Sequence, residues 1–244
     1  MNLELALLSE AAADFRYLLS RGYPRGAALT LVGNRYRLPH TARQILHRGV
    51  FSPEEAAHRR AKLRRLEDFP GLPLGVDGHN VLITLECALK GLPLVAADDG
   101  FIRDVAQLSR AFRASTRTER ALSLLADFLA GRHPGPVHVF FDAPLSRSGE
   151  LAQRTRELWA ARGLVVEAAA VPVPERELTA FPGPVATSDS ALIDAREQVV
   201  DLAGEIIRQE AAWQVNIISL WPARTENLVG EPNVPGVPRN DNET

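Results

Sequence analysis

The chain has 244 residues, of which 45% are hydrophobic and 24% charged, with a formal net charge of −2. This globular composition is long enough for one sizeable core or for a domain with an accessory module. The single cysteine, Cys87, excludes an internal disulfide and a cysteine-rich zinc site. No apolar run approaches the roughly 18 residues that cross a bilayer, and no signal peptide is evident. We therefore expect a cytoplasmic protein without a membrane partner.

Charge is unevenly distributed along the chain. Residues 1–70 carry 12 Arg or Lys against 7 Asp or Glu, whereas the remaining residues carry 16 against 23. Seven arginines and no acidic residue lie between Phe15 and Arg48. This pattern predicts that a basic N-terminal module contacts a polyanion, with RNA favoured over DNA. Because 26 of the 28 basic residues are Arg, an ordinary solvated face is the alternative.

Residues 1–68 are predicted to form a small basic all-α domain. Apolar residues at helical spacing predict three helices, at Leu3–Leu19, Gly26–Val32 and Thr41–His47. The sequence Ser52-Pro53-Glu54-Glu55 has the pattern of a capping box and predicts a fourth helix that runs to about Leu66. Within this domain, Arg35 and Arg37 are the candidates for contact with an RNA backbone.

A Pro- and Gly-containing linker, 69–73, precedes a region, 74–220, in which strand and helix patterns alternate. The predicted strands are Leu74–Val76, Leu94–Ala97, Val137–Phe141, Val165–Val171, Val185–Thr187 and Val215–Leu220. The predicted helices are Val81–Lys90, Phe101–Phe112, Arg117–Leu129, Gly149–Arg162 and Ala191–Arg208. This alternation predicts an α/β fold with a parallel sheet flanked by helices. The polar composition of 221–244 predicts a flexible tail.

Four apolar segments run directly into an aspartate, and these residues are Asp77, Asp98, Asp142 and Asp189. Ligands of open parallel sheets bind beyond the carboxyl ends of the strands, so we expect these four side chains to converge. Converging carboxylates repel one another and favour a divalent hard cation such as Mg²⁺ or Mn²⁺. The pattern therefore predicts a metal-dependent phosphodiesterase in which the four aspartates are catalytic and metal-binding residues.

Three motifs in order resemble those of PIN-like nucleases, particularly the NYN branch. They are Val-Asp-Gly-His-Asn-Val-Leu at 76–82, Phe-Phe-Asp at 140–142 and Ala-Thr-Ser-Asp-Ser at 186–190. The resemblance covers about residues 71–220 and implies a PIN-like sheet and Mg²⁺- or Mn²⁺-dependent nuclease activity. The two-part layout also resembles a family of uncharacterised archaeal and bacterial proteins. Such nucleases often carry a further acid one or two residues after the Thr-x-Asp, where Ser190 and Ala191 stand here. Either the metal affinity is lower, or Glu86 and Asp98 supply the missing charge.

Several further site residues have two interpretations each. Glu86 is either a metal ligand or a carboxylate paired with a cation, because an unpaired acid in so apolar a helix would be costly. Asn80 either binds a phosphate or an aspartate, or caps a helix. Ser146, Arg147 and Ser148 precede a helix N-terminus suited to anions, and they equally fit an ordinary loop. Ser190 is a substrate-binding candidate, whereas His79 is treated as incidental.

Two rival functions remain open at this level. One is a non-catalytic RNA-binding protein that has the same fold. The other is a phosphatase-like hydrolase with Asp77 as nucleophile, although the second acid expected two residues later is replaced by His79. The sequence is compatible with a dimer and does not fix the oligomeric state.

Overall fold

A parallel sheet is the centre of the fold in the computed structural model, which describes residues 3–105, 113–132, 134–209 and 215–221. The strands are β1 (Leu63–Arg64), β2 (Leu74–Asp77), β3 (Leu94–Ala96), β4 (Ile102–Asp104), β5 (Val137–Asp142), β6 (Val166–Val171), β7 (Val185–Ala186), β8 (Val199–Val200) and β9 (Ile217–Ser219). The helices are α1 (Leu3–Ser20), α2 (Arg25–Arg35), α3 (His40–Gly49), α4 (Pro53–Arg60), α5 (Gly78–Leu89), α6 (Thr116–Ala130), α7 (Ser148–Ala160), α8 (Pro174–Thr179), α9 (Ser190–Ala195) and α10 (Leu202–Gln209).

Six strands form the main sheet in the order β1-β8-β7-β2-β5-β6, and every neighbouring pair is parallel. Strand β2 lies at its centre, and its four residues are all buried. Apolar side chains of α5, α6, α7 and α10 pack with the sheet in the largest core cluster. The predicted α/β class with a parallel sheet flanked by helices is therefore confirmed. Within the described ranges, no helix combines the length and apolarity that crossing a bilayer requires.

The N-terminal helices α1, α2 and α3 form where apolar spacing predicts them. Their core includes Phe15 and Leu46 and continues onto Val95 of β3 and Val105, so the helical region packs against later residues. A second, three-stranded sheet in the order β4-β3-β9 provides that surface. The predicted all-α segment 1–68 is thus not separated in space from the rest of the chain.

The fourth helix begins as predicted but ends early. Ser52 and Glu55 form the predicted capping box, with each backbone N–H bonded to the other side chain at 3.2 Å. Helix α4 then stops at Arg60 rather than Leu66, because the chain turns to form β1 beside β8. The Lys62 ammonium group holds this turn by donating to the backbone carbonyl oxygens of Ile193 and Asp194.

The predicted helix over 101–112 is wrong at its start, because Ile102–Asp104 form a strand, β4. Gly100 has a left-handed φ of +91° and closes a tight connection after Asp98 and Asp99. The chain therefore returns as β4, antiparallel to β3. Residues 106–112 lie outside the described residues.

The predicted helix over 191–208 is also wrong, because β8 interrupts it between α9 and α10. Val199 and Val200 are fully buried and extend the sheet next to β7. β-Branched residues suit such a buried strand. Helix α8 lies between the predicted strands Val165–Val171 and Val185–Thr187, where no element was predicted, and residues 222–244 of the predicted tail lie outside the described residues.

Candidate functional site

Three of the predicted aspartates lie beyond the carboxyl ends of neighbouring strands. Asp77 ends β2 and Asp142 ends β5, which pair directly. Asp189 follows β7, the neighbour of β2 on its other side. We call Asp77, Asp142 and Asp189 the acidic edge. These three side chains therefore lie at one edge of one sheet, which is where the sequence pattern of strands ending in aspartate predicted them.

Asp77 is the buried centre of the acidic edge. Its carboxylate accepts a 2.9 Å hydrogen bond from the Thr187 hydroxyl and a 3.4 Å bond from the backbone N–H of Asn80, so it caps α5. Burial raises the pKa of Asp77 to about 7; the charges of Asp189 and Asp142 contribute to this shift, while the two hydrogen bonds oppose it. A buried carboxyl with this pKa changes its charge near neutral pH.

Hydrogen bonds hold the loop that carries Asp189, residues 187–189, against the start of α5. The Asn80 side-chain oxygen accepts bonds of 2.8 Å from the Ser188 N–H and 3.0 Å from the Ser188 hydroxyl. The Thr187 hydroxyl oxygen accepts the Asp189 N–H at 3.0 Å. Asn80 is therefore a positioning residue of the loop, and the helix cap that was one of its two predicted roles comes from Asp77.

His79 is a neighbour of Asp142 that sequence reasoning treated as incidental. Its Nδ1 lies 3.1 Å from an Asp142 carboxylate oxygen and 3.0 Å from the Asp142 backbone nitrogen. The ring is buried and meets Phe141 edge-on, with ring centroids 5.2 Å apart. Its position in the first turn of α5, directly after Asp77-Gly78, was the signal for this role.

The structure does not bring Asp98 or Glu86 to the acidic edge. Asp98 follows β3 in the second sheet, where Arg16 binds both of its carboxylate oxygens at 2.8 and 2.9 Å. Glu86 lies two turns into α5 and accepts bonds from the Thr118 hydroxyl at 2.6 Å and from Lys90 at 2.9 Å. Both carboxylates are buried and neutralised by a cation. The paired alternative for Glu86 is the one that the structure supports.

Side chains of the Ser-rich loop after β5 form hydrogen bonds with other groups of the chain. The buried Ser148 hydroxyl lies within hydrogen-bonding distance of the backbone carbonyl oxygens of Asp142, at 2.6 Å, and Leu145, at 2.7 Å. Arg147 is exposed, has a left-handed φ of +63°, and donates to Glu150 at 2.9 Å. Ser146 is exposed. These contacts support the interpretation of this segment as an ordinary loop that fixes the chain after Asp142.

The candidate RNA contacts of the helical region lie on its surface. Arg35 is exposed and pairs with Asp14 at 3.4 Å, and Arg37 is exposed in a left-handed conformation. Ser190 lies instead beside the acidic edge, in the first turn of α9.

Asp201 is a strand-end aspartate that sequence reasoning missed. Asp201 directly follows β8 and is buried, accepting backbone N–H bonds from Ile102 at 2.9 Å and Gly204 at 3.0 Å. Burial raises its pKa, while Arg208 lowers it from 3.2 Å away. These bonds give Asp201 a structural role, connecting β4 to the end of β8.

The acidic edge fits a divalent cation by the chemistry of its donors. Carboxylate oxygens are the ligands that Mg²⁺ and Mn²⁺ prefer. Among the described residues, however, no group of three or more His, Cys, Asp or Glu side chains is arranged to hold a metal ion. Each acidic-edge carboxylate instead has a polar contact within the protein: the Thr187 hydroxyl for Asp77, the His79 Nδ1 for Asp142 and the α9 backbone N–H groups for Asp189. Holding a cation therefore requires these carboxylates to turn from their present partners.

Comparison with known proteins places the chain among families without an assigned activity. A family model described as "Domain of unknown function (DUF5616)" matches residues 66–205, and one described as "Protein of unknown function (DUF434)" matches residues 7–62. The chain is 36% identical over 202 residues to the "Uncharacterized protein MJ0935" of Methanocaldococcus jannaschii, covering 82% of this chain and 96% of that relative. No solved structure matches the chain significantly. The two family models meet close to the predicted boundary at residue 68.

Proposed function

The chain belongs to the family described as the domain of unknown function DUF5616, and from its own geometry we propose that it is a metal-dependent phosphodiester hydrolase that cleaves RNA. The observation that carries this proposal is that Asp77, Asp142 and Asp189 lie beyond the carboxyl ends of the neighbouring strands β2, β5 and β7. Burial raises the pKa of Asp77, and repulsion by Asp189 and Asp142 adds to the shift. A divalent cation would relieve that repulsion and favour the ionised form.

The chain's own residues have distinct roles in this proposal. Asp77, Asp142 and Asp189 would hold Mg²⁺ or Mn²⁺ through carboxylate oxygens. When bound, such a cation polarises a phosphate and lowers the pKa of water. Thr187 fixes the Asp77 carboxylate, and His79 holds Asp142 from the first turn of α5. These contacts keep the two carboxylates at the sheet edge in the metal-free protein, and a bound cation would replace them.

A non-catalytic RNA-binding protein is the second candidate. The observation in its favour is that every acidic-edge carboxylate already has a polar contact within the protein. A protein of this kind would bind RNA without Mn²⁺ and would not cleave it. Metal binding therefore separates the two functions.

The test is the shift in melting temperature that Mn²⁺ causes. A ligand that binds the folded state raises that temperature, so we expect Mn²⁺ to stabilise the wild-type protein. The variant Asp77→Asn removes a central ligand and should lose the stabilisation. Glu175→Gln, an exposed site on α8, is the matched control and should retain it. Equal stabilisation of the Asp77→Asn variant and the wild type would contradict the proposal.

A further inference from the structure

A pocket rich in arginine lies at the junction of the helical region and the main sheet. Its lining includes Arg25 of α2, Arg48 of α3, Phe51, Arg103 of β4 and Ser190 of α9, and its volume is ≈180 Å³. We call this cavity the arginine pocket. It adjoins the acidic edge, because Asp189 also lines it.

Two of the three arginines have an acidic partner. Arg103 is buried and binds both carboxylate oxygens of Asp99, at 2.7 and 2.8 Å. Arg48 donates to Asp104 at 2.9 Å. The positive and negative charges within each pair cancel, so neither pair gives the pocket a net positive charge. The Nε of Arg48 is nevertheless buried with no hydrogen-bond acceptor among the described residues.

Arg25 differs from the other two arginines. Its guanidinium donates to the backbone carbonyl oxygens of His47 and, at 2.6 Å, Val50. In the described part of the chain, no carboxylate lies within ion-pairing distance of it. The Asp189 carboxylate at the rim of the pocket accepts the N–H groups of Ala191 and Leu192, at 2.9 and 3.1 Å. Arg25 is therefore a half-buried cation that lacks an anionic contact.

Three guanidinium groups surround Phe51. Two of them, those of Arg59 and Arg103, are paired with Asp194 and Asp99, whereas Arg25 is not paired with a carboxylate among the described residues. The guanidinium carbons of Arg25, Arg59 and Arg103 lie 4.6, 4.5 and 5.2 Å from the centroid of its ring. Burial lowers the pKa of Arg25 to about 10; Glu55 offsets part of this shift, while Arg59 and Arg103 add to it. Crowded cations of this kind are stabilised by a bound anion.

We propose that the arginine pocket binds a phosphate group. Arginine forks match the oxygen atoms of a phosphate, and the Ser190 hydroxyl adds a neutral donor beside them. If the proposed function holds, this phosphate belongs to the RNA strand being cleaved, because the segment 188–190 lines the pocket and carries Asp189 of the acidic edge. The other source of the same chemistry is free phosphate.

The test is calorimetric binding in EDTA of two probes, inorganic phosphate and a short oligoribonucleotide. We expect Arg25→Gln to bind at least about tenfold more weakly than the wild type, since a charged hydrogen bond is lost. Arg21→Gln, an exposed arginine just before α2, is the matched control and should bind like the wild type. An effect on the oligoribonucleotide assigns the pocket to RNA, whereas an effect on phosphate alone assigns it to free phosphate.

A second variant keeps the test valid if Arg25→Gln does not fold. Ser190→Glu places a carboxylate beside Arg103, whose Nη2 lies 3.5 Å from the Ser190 hydroxyl. We expect this variant to fold and to lose binding of both probes, because a carboxylate in the pocket repels an anion. Unchanged affinity for both probes in both variants, or no binding by the wild type, would overturn the proposal.

The same measurement on Asp77→Asn separates this inference from the proposed function. Because the binding is measured in EDTA, a phosphate in the arginine pocket requires no metal at the acidic edge. Asp77→Asn should therefore bind the probe at least as well as the wild type. If Mn²⁺ stabilises Asp77→Asn as much as the wild type while probe binding still depends on Arg25, the hydrolase is contradicted and the phosphate pocket is not.

Discussion

Arg16 of α1 and Asp98 beside β3 form an ion pair with two hydrogen bonds, 2.8 and 2.9 Å long, that ties the helical region to the second sheet. Arg48 makes a similar connection to Asp104. The arginines between Phe15 and Arg48 lack acidic neighbours in the sequence partly because their partners come from later residues. The uneven charge of the chain therefore contributes to docking its two regions.

Loss of the Arg16–Asp98 pair should destabilise the protein strongly. Arg16→Gln leaves a buried carboxylate without its cation, which costs about 3 kcal/mol in the free energy of unfolding. Arg35→Gln is the control, because Arg35 pairs with Asp14 on an exposed surface where ion pairs contribute little. Urea denaturation of both variants provides the measurement, and similar losses for the two would contradict the docking role of Arg16.

Asp77 should make the metal-free protein less stable as the pH rises. Its folded pKa of about 7 exceeds the ordinary value of 3.8, so the folded state binds the proton more tightly than the unfolded state. Stability is then lost between about pH 4 and pH 7, by about 4 kcal/mol at 1.36 kcal/mol per unit. Asp77→Asn removes this loss and should be the more stable protein at pH 7.

The measurement is the free energy of unfolding in EDTA across that pH range. Asp201 and Glu205, whose pKa values burial also raises, titrate in both proteins. The difference between the two curves therefore isolates Asp77. Parallel curves for the wild type and Asp77→Asn would show that the folded protein does not raise the pKa of Asp77.

Gly78 is required by the close approach of α5 to β5. A Cβ at this position would overlap the Phe141 ring and lie 3.0 Å from the Phe140 carbonyl oxygen. Gly78→Ala should therefore cost about 1–3 kcal/mol of stability, because the fully buried Phe141 has little room to move. Gly26→Ala, at the start of α2 with open space around it, is the control and should be neutral in a thermal melt.

Arg35 and Arg37 remain the predicted contacts to an RNA backbone. If each contacts one phosphate, neutralising both as Gln should weaken binding and lower the salt slope by about 0.7 per contact for a single strand. Binding measured across a salt series tests this. An unchanged slope in the double variant would identify these arginines as an ordinary solvated surface.

The local sequence pattern predicted the three members of the acidic edge, because an apolar run that ends in an aspartate marks both a strand and its carboxyl end. It could not place Asp98, since a strand ending in aspartate does not reveal which sheet it joins. The partner that neutralises Asp98, Arg16, is 82 residues away.

The other features that the sequence did not predict also depend on contacts between distant segments of the chain. Asp201 was missed because Val199-Val200 lies between two segments with helical pattern, and only pairing with β7 and β1 makes it a strand. The arginine pocket assembles Arg25, Arg103 and Ser190 from three distant segments, so no spacing in the sequence encodes it.

The central claim, that the acidic edge hydrolyses RNA, is tested most directly by cleavage of single-stranded RNA under single-turnover conditions. We predict cleavage by the wild type and by Glu175→Gln in Mn²⁺, none in EDTA, and a loss of at least about 100-fold in Asp142→Asn, since the metal supplies several kcal/mol of transition-state stabilisation. Cleavage by Asp142→Asn at the wild-type rate, or no cleavage by the wild type in Mn²⁺, would contradict the claim.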